Sequence, residues 1–384
     1  MYLEGVIYNL FNVINLKLSK PLKRTLVELI SCLLEDKESH LCKIAEEIAV
    51  NGPSKNACIQ RVRRFLSNKR ISPFITVVPL IYLMRPLLES LSEIILSMDR
   101  TDWEKRRKWI NILSVAVCYK GRALPLFWIV LGRKGNSSLD QWKYVLTPVI
   151  EGLRQMDWLS DKPIMVVADR EFASPKLAEW LKKAYAIGST LRIKSSMYLN
   201  DVNRFEVKVA SLIHSMKKGS RIMLRDQILT RDSSFKLNVL LTWNRKYDEP
   251  LVVATTSGTP LLSDKTYGKR FGIECMHKDW KTNAFNLEKT KVTDPKRIET
   301  MLIPIAFAYV FCMLEGERKE IAGEDIRKPP KGKTRMVGLF LDGLRNISRH
   351  LSRAGIKKFK RFIFNLLSSF FTKWNIPPST IMDC

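Results

Sequence analysis

The chain has 384 residues, 46% of them hydrophobic, enough for a large core shared among two or three domains. Lys and Arg number 65 against 38 Asp and Glu, a net charge of +27, the electrostatic footprint of a protein that meets a polyanion, nucleic acid above all. The seven cysteines are scattered singly with no C-x-x-C pair, which excludes zinc ribbons and redox motifs and fits a reducing cytoplasm.

Residues 1–90 read as a helical domain. No basic segment leads into an apolar run at the start, so no secretory signal is expected. Leu22, Leu26, Leu29, Ile30 and Leu33 recur at helical spacing. Leu41 to Val50 is a second amphipathic segment, ended by Asn51-Gly52-Pro53, and Ser54 is placed to cap a third helix. There Cys58, Val62 and Phe65 face inward, while Arg61, Arg63 and Arg64 face outward as candidate DNA contacts. Helix, turn and basic helix is compatible with a helix-turn-helix, and equally with a bundle carrying a solvated basic face.

The pattern changes near residue 94, and the first part of an α/β unit spans 91–194. Ile94 to Asp99 is an apolar run ending in an acid, the mark of a buried strand. Ile110 to Tyr119 and Ala123 to Leu131, joined by Lys120-Gly121-Arg122, predict a hairpin. Ser138 to Leu153 is helical in period, and Pro163 to Asp169 is a second buried strand ending in an acid. Ser174 and Pro175 start a helix, and Ala186 to Lys194 is a further strand. The order predicts a mixed sheet flanked by helices.

Residues 195–263 carry short apolar runs separated by turns and read as a β-rich insertion. The second part of the α/β unit spans 264–315 and closes with a helix begun by Asp294-Pro295. Its apolar stretch, Met301 to Leu314, contains Pro304, is too short to cross a bilayer and reads as buried, so no membrane partner is expected. Residues 316–335, with Pro329-Pro330 and three glycines, suggest a linker, and 336–384 a basic helical region. Gly132-Arg133-Lys134-Gly135 lacks the spacing of a P-loop, so no nucleotide cofactor is expected.

Between Tyr267 and Lys281 the chemistry concentrates. On one helix Tyr267, Arg270, Glu274, Lys278 and Lys281 share an arc of about 80°, one carboxylate ringed by three cations and a phenol. Taken singly, an acid at a strand end is more commonly a solvated or capping group. Asp99, Asp169 and Glu274 together suit Mg²⁺ or Mn²⁺, because neighbouring carboxylates repel unless a hard cation compensates. A pair of such ions supports in-line phosphoryl displacement. Asp102 and Glu171 read as orienting or surface groups, His277 as structural, and Trp243 as core or as a stacking platform for a base.

The spacing Tyr-x2-Arg-x3-Glu-x6-Lys of Tyr267, Arg270, Glu274 and Lys281 resembles that of DDE transposases of the insertion-sequence-four family. Asp99 in Met98-Asp99-Arg100 and Asp169 in Ala168-Asp169-Arg170 resemble the family's two other acidic motifs. The resemblance covers about residues 40 to 315. It implies an RNase H-like core, Asp99, Asp169 and Glu274 as the catalytic, metal-binding triad, and two ions per site. Tyr267, Arg270, Lys278 and Lys281 would hold DNA phosphates. It further implies cleavage at transposon inverted-repeat ends, strand transfer into target DNA by 3′-hydroxyl attack, a homodimer on double-stranded DNA, and work at a bacterial nucleoid. The competing expectation is a catalytically silent, transposase-derived DNA-binding protein.

Overall fold

Two hairpins with tight left-handed turns begin the sheet. Strands β1 (Ile94–Lys105), β2 (Lys108–Tyr119) and β3 (Arg122–Leu131) are joined by Arg106-Arg107 and by Lys120-Gly121. All four turn residues have positive φ, the geometry whose twist matches that of the flanking strands. The computed structural model describes residues 2–49, 54–200, 205–230, 233–324 and 338–349.

Strand β4 (Ile164–Ala168) lies parallel to β1, and β5 (Gly188–Arg192) parallel to β4. Helix α7 (Leu139–Arg154) connects β3 to β4, its start fixed by a capping box between Ser138 and Gln141. Helix α8 (Pro175–Tyr185) makes the β4–β5 crossover; Ser174 stands at its N-cap without a side-chain bond. The strand order β3-β2-β1-β4-β5, antiparallel on one side of β1 and parallel on the other, is the RNase H-like arrangement that was expected.

The expected insertion is β-rich, but its main strands extend the core sheet. After a ribbon of β6 (Tyr198–Asn200) and β7 (Glu206–Lys208) and the short α9 (Val209–His214) come β8 (Arg221–Gln227), β9 (Leu237–Thr242) and β10 (Leu251–Thr255). Strand β10 pairs antiparallel with β5, and β9 and β8 follow outward to complete eight strands. This addition covers the open hydrogen-bonding edge of β5, which local hydrophobic pattern cannot reveal.

Helices α1 (Tyr2–Val13), α2 (Lys20–Asp36), α3 (Leu41–Ala49), α4 (Lys55–Leu66), α5 (Val77–Leu83) and α6 (Arg85–Glu89) precede the sheet. They do not keep a core of their own. Leu26, Leu29 and Leu33 of α2 belong to one continuous apolar cluster with the sheet, and Phe11 meets Phe307 edge-on at 5.1 Å. After α10 (Ser263–Gly268) and α11 (Phe271–Lys278), the long α12 (Pro295–Ile321) runs through that core, started by Asp294 accepting from the Arg297 N–H at 2.9 Å. By length and apolarity α12 could cross a membrane, yet 94% of its apolar window is buried inside the fold.

Helix α12 ends at Ile321, outrunning its expected end near Leu314 by about two turns. Gly316, read as a linker signal, is instead a contact: a Cβ there would lie 2.1 Å from the Leu339 carbonyl oxygen. A further helix over 339–349 crosses at that point, and a Cβ on Gly343 would lie 1.9 Å from the Cys312 carbonyl oxygen. Of the basic C-terminal region only Arg345 and Arg349 fall on this helix; residues 325–337 and 350–384 lie outside the described residues.

Candidate active site

Strand β1 brings Asp99 to the sheet's functional edge, though not by ending there. Ile94 to Met98 pair with β4 on one side, and Leu96 to Met98 also with β2 on the other; this buried stretch is the apolar run visible in the sequence. Beyond Met98, β1 has β2 alone as a strand neighbour, so its residues become half-buried and the run stops reading as strand. Asp99 is therefore mid-strand, at the point where parallel pairing ends. Asp169 follows Ala168, the residue paired with Met98, so the two acids leave adjacent strands side by side. Helix α11 supplies Glu274 from above the same edge.

Arg270 joins all three. Its Nη1 donates to Asp99 Oδ2 at 3.1 Å, its Nη2 to Glu274 Oε1, and its Nε to Tyr267 Oη at 3.1 Å. The Tyr267 hydroxyl in turn donates to Asp169 Oδ1 at 3.0 Å. Burial holds the Tyr267 phenol well above its ordinary range, so it is a fixed donor. Burial alone would lower the Arg270 pKa, but Tyr267, Asp99 and Glu274 raise it on balance. Burial pushes the Asp99 carboxyl up to about 6; Arg270 and the Arg100 N–H bond oppose this, while Glu274 and Asp169 add to it.

The five-residue face does not sit on one uniform helix. Between α10 and α11 the bonds from Arg270 N to Tyr267 O (2.9 Å) and from Ile273 N to Arg270 O (3.0 Å) close tighter, three-residue turns. After Lys278 the chain widens into a π-turn, Asp279–Asn283. Gly268 and Gly272 weaken the helix locally. The π-turn lets Trp280 bury completely against Trp128. Tyr267, Arg270 and Glu274 still converge, and exposed Lys278 lines the cleft of about 290 Å³ that Asp99 and Glu274 share. Lys281 lines it too, but its ammonium is engaged by the Asp102 carbonyl at 3.1 Å and Glu288 at 3.0 Å, over the Trp103 ring.

Groups outside the motif complete the site. Arg192, at the end of β5, lies 3.6 Å from Asp169; an arginine one strand over from an acid was the available signal. Glu171 accepts from Arg100 Nε at 2.8 Å and from Ser137 N and Oγ at 2.8 and 2.7 Å, while Arg100 also reaches Asp102 at 3.0 Å. This clamp ties the turn after β4 to β1, and with it the two aspartates. His277 is buried, bonded through Nε2 to Ser114 Oγ at 2.7 Å, and burial holds its pKa down to about 3, so the imidazole is neutral and structural. A wider groove of about 1110 Å³ opens beside Tyr267 and Arg270, lined by Arg192, Arg221, Trp243 and Arg245 among others. Trp243 is half-buried there and donates to the Tyr247 carbonyl at 3.1 Å.

On α4, Cys58, Val62 and Phe65 are buried as expected, and Arg63 and Arg64 are exposed. Arg61 is not free to face DNA as it was read: its guanidinium pairs at 2.7 Å with Glu28 of α2, an acid that lies in the core and needs a partner.

The donor set fits a hard divalent cation. It is all oxygen and anionic, and Asp99 carries a carboxyl raised by burial and by its neighbours' charge, which a cation relieves. Among the described residues no three His, Cys, Asp or Glu side chains stand close enough to form a finished metal cage. The cation that Asp99 and Glu274 share here is the guanidinium of Arg270.

No curated protein matches the chain. Among solved structures it is similar to a piggyBac transposase synaptic complex with hairpin DNA, determined by cryo-EM, at 12% identity and a TM-score of 0.45, over 95% of this chain and 82% of that one. The family model described as Transposase DDE domain matches residues 90–311, more than half of the chain. That span holds the two hairpins that begin the sheet, the strand bearing Asp99, Asp169 directly after β4, and the helix bearing Glu274. The chain therefore belongs to the DDE-domain transposases.

Proposed function

We propose that this protein, of the insertion-sequence-four type, cuts DNA at the inverted-repeat ends of its element and joins the freed 3′-hydroxyl to target DNA. The observation that carries the reading is the gathering of Asp99, Asp169 and Glu274 around Arg270 and Tyr267 at one sheet edge. Asp99, Asp169 and Glu274 would hold Mg²⁺ or Mn²⁺. Such ions, when bound, activate the attacking oxygen and stabilise the leaving one. The chain's own part is positional and electrostatic. Tyr267 fixes Asp169, the Arg100–Glu171 clamp fixes the strand ends, and Arg270 and Lys278 offer positive charge to the phosphate as negative charge develops. A homodimer holding two ends fits a reaction that joins both to one target.

The test is Glu274→Gln in the full chain, assayed on duplexes carrying the element's terminal repeat with Mg²⁺. Cleavage should vanish while binding persists. Retained cleavage would remove Glu274 from the triad. A wild-type protein that binds these ends tightly yet never cuts them would favour the silent, DNA-binding alternative.

A further inference from the structure

The β1–β2 hairpin does not stop at the carboxylates. Pairing continues from Asp99 opposite Ser114 to Lys105 opposite Lys108, while β4 drops away after Met98. Six residues of strand carry the tip about 20 Å past Asp99. The tip reads Lys105-Arg106-Arg107-Lys108, and beyond β3, whose last residue Leu131 pairs with Asn111, Arg133 and Lys134 run beside Trp109 near the base of the tip. The Asn111 side chain holds that segment by donating to the Arg133 and Gly135 carbonyls at 3.1 and 3.0 Å, and the Lys134 ammonium lies 4.6 Å over the Trp109 ring.

Arg106, Arg107, Lys108, Arg133 and Lys134 are exposed, and none has an ion-pair partner among the described residues. Arg106 and Arg107 also stand at φ 50° and 61°, a left-handed conformation that costs most L-residues and that Asn-Gly would adopt far more readily. Two arginines there make a poorer turn and a stronger positive charge. The arrangement is one of exposed cations with no carboxylate partner among the described residues, about 20 Å along the strand from Asp99.

We propose that the hairpin tip and Arg133-Lys134 grip the phosphodiester backbone of duplex DNA about six nucleotide steps from the phosphate held at Asp99. The proposal rests on the reading of the carboxylate cleft as the site of DNA cleavage. The contact is with phosphates, so it is independent of sequence and serves element-end and target duplexes alike.

The test is the double variant Arg106→Asn/Arg107→Gly in the full chain, which installs the preferred turn pair and removes two charges. Binding to a terminal-repeat duplex and to an unrelated duplex of equal length is measured from 50 to 200 mM KCl. Losing two phosphate contacts flattens the log–log salt slope by about 1.8, so wild type should lose about 12-fold more affinity than the variant across that range, on both duplexes. The variant's melting temperature should equal or exceed that of wild type. An unchanged slope in a folded variant overturns the proposal, as does a change confined to one duplex. Should this variant fail to fold, Arg133→Ser/Lys134→Ser makes the same measurement from the neighbouring segment. A wild type that cuts DNA beside a variant with unaltered slope sinks only the hairpin. A wild type that never cuts, with the slope flattened in the variant, sinks only the cleavage reading.

Discussion

Replacing Arg270 by Gln tests how the three carboxylates are held without a metal. The guanidinium touches Asp99 at 3.1 Å and Tyr267 at 3.1 Å, bonds Glu274 as well, and its side chain is only 9% exposed. At an effective dielectric of about 20, one unit charge about 4 Å from another is worth about 4 kcal/mol before desolvation. Removing one partner of a buried pair costs about 3–5 kcal/mol, because the other charge is left uncompensated. For a chain of this length that corresponds to a fall in melting temperature of about 4–6 °C.

The loss should depend on pH in a definite direction. Asp99 already has its carboxyl raised to about 6, and without Arg270 it loses the largest influence holding it down. The variant's defect is therefore greatest near pH 8, where Asp99 must stay charged, and shrinks toward pH 5, where it takes a proton. Millimolar Mg²⁺ should stabilise the variant more than wild type, since in wild type the ion meets a site whose charge is already balanced. Thermal unfolding of both proteins at the two pH values, with and without Mg²⁺, reads all of this independently of catalysis. A deficit that ignores pH, or Mg²⁺ that lifts both proteins equally, would refute the reasoning.

His277 gives a second gap that narrows toward acid, from a group whose folded-state pKa is lowered rather than raised. Its imidazole is held neutral, with a pKa near 3 in the folded state against 6.5 in the unfolded chain, so its contribution is whole above 6.5 and lost as pH falls toward 3. Between about pH 7.5 and pH 5 wild type should lose about 2 kcal/mol that His277→Gln does not, read as a narrowing gap in urea unfolding. A constant gap would count against a buried neutral imidazole. Gly272→Ala places a Cβ 2.3 Å from the Arg122 carbonyl oxygen, so α11 or the β2–β3 turn must move, at a cost of about 1–3 kcal/mol or more. Because α11 carries Glu274, single-turnover cleavage should fall about 100-fold, whereas Gly268→Ala, with open space at its Cβ, should leave cleavage near wild type. Equal effects of the two substitutions would disprove the close-packing argument.

What could be read from the chain and what could not divides along one physical line. Asp99, Asp169 and Glu274 were visible because an acid ending an apolar run, or alone among cations, contradicts its surroundings. The extent of β1 was not, because Arg100 to Lys105 have one strand neighbour and so lack the apolar signature of a doubly covered strand. The joining of β10 to β5 was hidden for a related reason: edge pairing is made by backbone groups that every residue carries. Gly316 and Gly343 suggested a loop or nothing at all, since a glycine that admits a crossing helix looks locally like one that makes a turn. The Arg100–Glu171 clamp joins residues 71 positions apart, each beside a more conspicuous aspartate. The hairpin tip belongs with these. As sequence, Arg106-Arg107 is two more charges in a basic chain; only its left-handed backbone and missing carboxylate partners mark a place where turn stability was set against charge. A residue that makes its own turn worse, 20 or so ångströms along a strand from three gathered acids, is placed for what lies outside the fold.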